Sequence, residues 1–333
     1  MSAQTDFQRH KRILSIVLIV GVLLFGLKAW LYWVTKSNAI LSDALESTVN
    51  IFAGAFALYS LILASKPSDK KHPYGHGKIE FLSASIEGAL ILTAGLIIII
   101  KSIYNFYVPA KIEALEIGII FTLVSGGINL LMGLILVRNS KKVKSLLLKA
   151  SGKHLLSDAY TSAGLIIGLI IIQVTDILWL DSVAAILFGL IIIYSGYQIL
   201  SESIDGIMDG ADFETLEKLV KHLQENRKED WIDIHKMRMI KYGTFMHLDC
   251  HVTVPRFYDI DQGHDVVKQV ENQIISQFNN QAEVFVHMDP CVPESCIQCS
   301  VKNCRVRSTP KQKELVWQLQ NFLEDKKHGL QEM

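Results

Sequence analysis

The chain has 333 residues, half of which are apolar, and its mean hydropathy is +0.29. It is therefore more apolar than an ordinary soluble domain, and the excess lies in the first two-thirds of the chain. Because 33 basic residues balance 33 acidic residues, no overall positive charge favours a nucleic acid as partner.

Six apolar segments are long enough to cross a bilayer core, which needs about 20 residues of helix. The first follows basic residues and lacks a small-residue cleavage site, so it is predicted to stay in the protein. We therefore predict an α-helical membrane bundle of six transmembrane helices over residues 13–207, after a cytoplasmic N-terminus of residues 1–12. The predicted spans are 13–34, 38–64, 80–107, 114–138, 146–174 and 181–203.

Basic residues in the short loops predict the orientation of the bundle, because cytoplasmic loops carry an excess of Lys and Arg. One side has only Lys36 and Lys111, whereas the other has the basic residues of 11–12, 66–78 and 138–153. The second side is predicted to face the cytoplasm. Both termini are then cytoplasmic, and we expect a multi-pass protein of the cytoplasmic (inner) membrane.

Beyond about residue 208 the pattern is typical of a soluble domain. An amphipathic helix begins at Phe213, and two alternating segments predict a hairpin that turns near Gly243. A second helix and a third strand follow. The order helix–strand–strand–helix–strand predicts a small C-terminal α+β domain over residues 208–290, with both helices on one face of the sheet.

Two matched pairs of polar side chains interrupt the second and fifth spans. Glu46 and Asn50 are four residues apart in one span, and His154 and Asp158 have the same spacing in the other. Each pair therefore lies on one helix face, and polar groups at such depth usually face a bundle interior. If the spans face each other, two carboxylates, an imidazole and an amide oxygen form a four-ligand site for a divalent first-row metal. Packing or interfacial roles are the alternative.

The loop between the second and third spans contains a second candidate metal site. Asp69, His72 and His76 have spacings that a loop can close around an ion, and Pro73 and Gly75 supply the turn. A hydrophilic loop with incidental histidines remains the alternative.

The soluble domain gathers histidines at one edge of its predicted sheet. A binuclear metal site is plausible there, although any single histidine is more often a surface or core residue. The candidate ligands are His235, His251, His264, His287 and Asp289.

Four cysteines with the spacing C-x4-C-x2-C-x4-C follow the third strand, in a tail of residues 291–333 that also carries a predicted helix over 310–326. The predicted cytosolic location keeps thiols reduced, which favours metal binding over disulfides. Four thiolates could hold one zinc ion or a softer metal, while an iron–sulfur cluster and unligated thiols remain open. The candidates are Cys291, Cys296, Cys299 and Cys304.

The motifs "SDALESTVNIFAG", "HPYGHGKIEFL", "HLLSDAYTSAG" and "VHMDPC" together resemble those of the cation diffusion facilitators. The resemblance covers approximately residues 10–290 and implies a dimeric metal exporter with six spans and a ferredoxin-like cytoplasmic domain. It implies a transport site at Glu46, Asn50, His154 and Asp158. It also implies that the loop and soluble-domain residues named above bind metal, and that Lys78 and Asp209 form a charge interlock at a homodimer interface.

The resemblance predicts proton-coupled efflux of divalent cations, with metal ions as substrate and regulator, no enzyme activity and no organic cofactor. Zinc-exporting relatives usually have Asp or His in place of Glu46 and Asp in place of Asn50, so metal selectivity is open at these positions. His154 favours Zn²⁺ over the all-oxygen site of manganese-type members. Fe²⁺, Mn²⁺ or Cd²⁺ as the main substrate is one alternative, and a membrane-anchored metal sensor without transport is another.

Overall fold

A computed structural model of the chain divides into two compact units, Met1–Met208 and Asp209–Met333. Within some helices the backbone alone is described, and the side chain of Glu46 is among those outside the description. The residues that the structure describes are 3–35, 38–107, 116–143, 145–175, 179–243, 245–278 and 281–327.

The first unit contains six long helices at the positions of the six predicted spans. The shortest has 27 residues and the longest 33, so at 1.5 Å per residue each exceeds the thickness of a bilayer core, about 30 Å. Over the described residues, all of them except α5 are apolar enough to cross a membrane; the apolar end of α5 lies outside the described side chains. The helices are α1 (Ala3–Thr35), α2 (Asn38–Ala64), α3 (Ile79–Tyr107), α4 (Glu116–Val143), α5 (Leu146–Thr175) and α6 (Trp179–Ile207).

Glycines bring α3 and α6 into close contact. A Cβ atom on Gly88 would lie 2.9 Å from the backbone nitrogen of Leu200, and one on Gly196 would lie 2.7 Å from that of Leu92. Side chains at these two positions would overlap the neighbouring backbone. Small residues of this kind let membrane helices pack closely in the absence of a hydrophobic driving force between them.

The second unit has the predicted order of helices and strands. Its sheet has the order β1-β2-β3, with β1 and β2 antiparallel and β2 and β3 parallel. Gly243 turns the hairpin with a φ of 65°, a conformation that favours glycine. The elements are α7 (Phe213–Glu225), β1 (Asp233–Tyr242), β2 (Phe245–Val254), α8 (Ile260–Gln277) and β3 (Ala282–Pro290).

One core joins both helices to the sheet. Leu219 and Leu223 of α7, Leu248 and Val252 of β2 and Val270 of α8 are all fully buried in it. The apolar stripe of α7 therefore packs against the sheet, as the sequence predicts.

The helix predicted over 310–326 is wrong, because only Leu319–Leu323 is helical (α9). The preceding segment is extended, and its backbone bonds to the rest of the unit instead of to itself. The N–H groups of Gln312 and Lys313 donate to the carbonyl oxygen of Ile297 at 2.7 and 3.0 Å. Tertiary hydrogen bonds thus override a helix-like sequence pattern.

Trp317 anchors this extended segment in the core. Its side chain is 3% exposed and meets Phe322 edge to face, with ring centroids 5.3 Å apart. The guanidinium of Arg227 lies 4.2 Å from the Trp317 ring centroid and donates to the carbonyl oxygen of Leu315 at 2.6 Å. The end of the tail therefore belongs to the same core as the sheet.

Candidate metal centres

Three of the four residues predicted for the intramembrane site are joined directly by hydrogen bonds. Asn50 on α2 donates from Nδ2 to Asp158 Oδ2 at 2.6 Å and accepts at Oδ1 from His154 Nε2 at 2.9 Å. His154 is buried, and Asn50 and Asp158 are half-buried. The four-residue spacing on α5 places His154 and Asp158 one turn apart, where a single side chain from α2 reaches both.

These contacts place an imidazole nitrogen, an amide oxygen and a carboxylate oxygen around one point. All three are ligand types for a divalent first-row metal. An ion there would replace the hydrogen bonds, because His154 Nε2 must lose its proton before it can coordinate. The fourth predicted ligand, Glu46, is on α2 one turn before Asn50, and its side chain lies outside the described residues.

Two buried carboxylates of α3 bond to serines next to this site. Ser151 Oγ donates to Glu87 Oε1 at 2.7 Å, and Ser145 Oγ donates to Glu80 Oε2 at 3.0 Å. Ser151 lies three residues before His154, so the Glu87 bond links α3 to the turn of α5 that carries the candidate ligand. Sequence reasoning missed both serines, although the similar separations of the two serines and of the two glutamates are a signal that could have found them.

The loop between α2 and α3 brings its predicted ligands together. Oxygen atoms of Asp69 lie 3.3 Å from His72 Nδ1 and 3.5 Å from His76 Nε2, and the two imidazole centroids are 4.4 Å apart. Gly75, with a φ of 86°, turns the chain so that His76 comes back over Asp69. One ligand atom from each of Asp69, His72 and His76 lies within 4.8 Å of the others, as a metal site requires.

The Asp69 carboxylate is fixed by the backbone. Its Oδ1 accepts the N–H groups of His72 and Lys71, both at 2.8 Å. These bonds, the His72 bond first, hold the pKa of Asp69 below its usual value. The loop therefore presents an ionised, preformed oxygen ligand.

The second unit aligns histidines across its three strands. His235, His251 and His287 are direct partners in the register of β1, β2 and β3. Asp289 lies two residues after His287 and so on the same face of β3. Its Oδ2 is 3.0 Å from His251 Nδ1 and 3.4 Å from His235 Nε2, while its Oδ1 is 3.6 Å from His287 Nε2.

The carboxylate of Asp289 lies between a buried histidine, His235, and an exposed one, His287. His235 is 3% exposed, and with His251 and Asp289 it offers ligand atoms within 4.8 Å of one another. The His287 side chain, by contrast, is 56% exposed. His264 lies on an exposed position of α8 and is not brought into this three-residue group.

Lys78 and Asp209 are the two residues predicted for the charge interlock. Lys78 Nζ lies 3.5 Å from the carbonyl oxygen of Ile207 at the end of α6. Asp209 begins the second unit with a φ of 62°, and its pairing with Lys78 stays a prediction.

The five cysteines fall into two groups. Cys291, Cys296 and Cys299 are buried and Cys304 is half-buried around one small cavity, whereas Cys250 lies alone in the core of the sheet. Burial raises the pKa of the Cys250 thiol to about 12, which makes it an inert packing residue.

Two family models together cover most of the chain. Residues 13–208 match the model described as cation efflux transmembrane domain, and residues 211–291 match the model described as cation efflux protein, cytoplasmic domain. The boundary between the two matches coincides with the division of the structure into two units. Cys296, Cys299 and Cys304 lie beyond both matched ranges.

Similar curated proteins come from bacteria, an archaeon and plants. An uncharacterized transporter of Synechocystis is 31% identical over 276 residues, which cover 82% of this chain and 89% of the relative. The manganese efflux system protein MneS of Bacillus subtilis is 27% identical over 81% of this chain and 91% of its own length. The cation-efflux pump FieF of Cronobacter sakazakii is 25% identical over 82% and 90%.

Proposed function

Because the chain belongs to the cation diffusion facilitator family of cation efflux transporters, we propose that it exports Zn²⁺ from the cytoplasm in exchange for protons. The coarser statement, that a multi-pass membrane protein of this family moves divalent cations and is not an enzyme, follows from the family itself. The metal, the proton coupling, the cytoplasmic membrane and the inward orientation of both termini are parts of the proposal.

The observation that carries the proposal is the hydrogen-bonded group of Asn50, His154 and Asp158. It connects two helices of the bundle through groups that each have a lone pair to offer a cation. Polar and ionisable groups within membrane helices are expensive, and they usually mark an ion path. Glu46, one turn away on α2, is proposed as the fourth ligand.

Protons compete with the metal for the same atoms. His154 coordinates only in its neutral form, and Asp158 only as a carboxylate, so acidification of the site releases the ion. Metal enters from the cytoplasm, where the pH is higher, and a change of the bundle to its outward form exposes the site to protons. Deprotonation on the cytoplasmic side returns the transporter to its starting state.

The imidazole of His154 supports zinc as the substrate. Zn²⁺ accepts nitrogen and oxygen ligands in a four-coordinate shell, whereas Mn²⁺ prefers oxygen ligands. The second candidate is Mn²⁺, which is favoured by the amide oxygen of Asn50 and by the similarity to the manganese efflux system protein MneS.

The loop site and the sheet site are proposed to bind the same class of metal. Two imidazoles and a carboxylate make each a suitable donor set for zinc. We further propose that the second unit forms a homodimer, that metal at the sheet site stabilises it, and that Lys78 and Asp209 contribute the charge interlock.

The test is metal uptake into proteoliposomes under an imposed pH gradient, with Zn²⁺, Mn²⁺, Fe²⁺ and Cd²⁺ compared at equal concentration. The proposal predicts the fastest flux for Zn²⁺, with proton movement in the opposite direction. A dominant Mn²⁺ flux would favour the second candidate. Absence of flux for every ion, with correctly inserted protein, would contradict export itself.

A further inference from the structure

Four thiols surround a single small cavity in the second unit, and three of them, Cys296, Cys299 and Cys304, lie beyond the range of both family models. The cavity has a volume of about 10 Å³, which is close to the space that one water-sized sphere occupies. Ile232, Pro255 and Val301 complete its wall. A space of this size admits a single ion and excludes an organic ligand.

Each thiol reaches the cavity from a defined piece of backbone. Cys291 follows β3 directly, and its N–H bonds to the carbonyl oxygen of Val254 at 2.9 Å, which extends the sheet pairing by one residue. Cys296 lies in a short 3₁₀ helix, Pro293–Ile297, and the N–H of Cys299 bonds back to the Cys296 carbonyl oxygen at 3.4 Å. The C-x2-C pair is therefore held in a turn.

Backbone N–H groups point at the sulfur atoms. The N–H of Arg256 donates to Cys291 Sγ at 3.4 Å, and backbone N–H groups of Val301 and Thr309 hydrogen-bond to the sulfurs of Cys299 and Cys296. Such donors stabilise sulfur in its charged, metal-ligating form. Cys250, by comparison, is buried with neighbouring carboxylates that oppose its ionisation.

Arg307 fixes the loop from outside. Its guanidinium donates to the carbonyl oxygens of Cys296 at 3.3 Å and of Cys299 at 3.4 Å. One side chain therefore holds the backbone of both cysteines of the C-x2-C pair, which both line the cavity. The positive charge of Arg307 also lies close to the thiols of Cys296 and Cys299, where it favours the thiolate form.

We propose that Cys291, Cys296, Cys299 and Cys304 bind one thiophilic divalent ion of the Zn²⁺ class, as a structural site that is separate from the transport path. Among the described residues, no three of the sulfurs lie within 4.8 Å of one another, whereas sulfurs of a tetrahedral zinc site stand ~3.8 Å apart. Binding therefore draws the loop inward. Cys304, which is half-buried between two turns, then moves towards the three buried thiols.

The bound ion would then link the end of β3, through Cys291, to the tail that carries the other three cysteines. Thiol protons leave to solvent as the ion binds, one for each thiolate formed. The closed loop fixes the start of the segment whose far end is anchored by Trp317. This proposal does not depend on which metal is transported.

The test uses the full-length protein in detergent, after removal of metal, with Cd²⁺ as probe. Thiolate-to-Cd²⁺ charge transfer gives an ultraviolet band that histidine and carboxylate sites do not produce, so the other proposed sites do not interfere. We expect a band that saturates at one Cd²⁺ per chain.

Two variants decide the assignment. Cys296→Ser with Cys299→Ser removes the band, and Cys304→Ser, at a half-buried position between two turns where folding is not at risk, weakens Cd²⁺ binding at least about tenfold. Cys250→Ala retains the full band as control. A wild-type protein without the band, or a double variant with an unchanged one, would overturn the proposal and leave metal export untouched.

Discussion

Asn50 donates a 2.6 Å hydrogen bond to Asp158 and so connects α2 to α5 through a neutral side chain. A carboxylate at position 50 could not donate this bond, and it would instead repel Asp158. The helix pair is therefore held together without metal by the residue that departs most from the zinc-exporting pattern. Because Asn50 is neutral, the transport site also carries less negative charge to attract a cation.

Asn50→Asp is expected to raise metal affinity at the transport site by at least about tenfold, because a unit charge next to a divalent ion contributes more than 1.4 kcal/mol even at an effective dielectric constant of 20. Metal binding should also become more sensitive to acid, because the added carboxylate is a further group that must lose its proton before it can coordinate. Isothermal titration with Zn²⁺ between pH 6 and 8 measures both effects.

Asn139→Asp is the matched control, because Asn139 is half-buried on α4, away from the site, and donates to its own helix at the carbonyl oxygen of Ile135. It adds the same charge away from the site and should leave affinity unchanged. Equal gains in the two variants would show that the charge acts through the general field of the protein.

Metal at the loop site should be released on acidification by its histidines and not by its aspartate. The backbone bonds depress the pKa of Asp69, so its contribution to the folded loop is present above the unfolded pKa, about 3.9, and is lost only as pH falls through the lower folded value. An imidazole coordinates a metal only in its neutral form, so acid acts on the bound ion through His72 and His76.

Asp69→Asn separates the two roles, because the amide oxygen can still accept the N–H groups of Lys71 and His72 while the charge is lost. We expect weaker Zn²⁺ binding at the loop with an unchanged pH midpoint, measured in a background that lacks the sheet-site histidines. A midpoint that moves by a full pH unit would assign the release to Asp69.

Gly196→Val should destabilise the bundle, because a Cβ there would lie 2.7 Å from a backbone nitrogen that cannot move without α3. Overpacking of this kind typically costs about 1–3 kcal/mol. Gly21→Val is the control, since a Cβ at Gly21 meets nothing within 4 Å in the described part of the chain, and both changes put valine into a helix. Thermal unfolding in detergent should separate them; equal melting temperatures would refute the close α3–α6 packing.

Trp317→Ala removes a buried ring from the core and should lower the free energy of unfolding by about 3–5 kcal/mol. The tail should then be held less tightly. The neighbouring Val316 side chain is 57% exposed, so Val316→Ala should have little effect. Hydrogen exchange of residues 310–323 in the full-length protein reports the difference. Similar protection in both variants would mean that Trp317 does not anchor the tail.

Hydrophobic periodicity was enough to predict the helices and the strands, because burial in a bilayer or against a sheet imposes a repeat that is visible in any single sequence. The pairing of Asn50 with His154 and Asp158 followed from matched spacings on two helices. Local patterns could not reveal contacts between distant segments, such as Ser151 with Glu87 or Gln312 with Ile297. The second of these replaces the helix that was predicted over 310–326.

At the sheet site, too, the sequence predicts some of the ligand positions and not others. Strand register brings His235, His251 and His287 into one row, which alternation alone suggests. The position of His264 at the start of the helix after β2 predicts it as a further ligand, yet α8 presents it to solvent within this chain. Ligand sets that depend on how elements are oriented are beyond what sequence spacing determines.

The most direct test of the central claim is Zn²⁺ flux into proteoliposomes by Asp158→Asn. Loss of the carboxylate charge at the proposed ion position should reduce flux to the level of protein-free liposomes. Thr93→Val, which removes only a hydroxyl that bonds to its own helix at the carbonyl oxygen of Ala89, should transport at the wild-type rate. Equal Zn²⁺ flux in Asp158→Asn and wild type would contradict the assignment of the transport site to Asn50, His154 and Asp158.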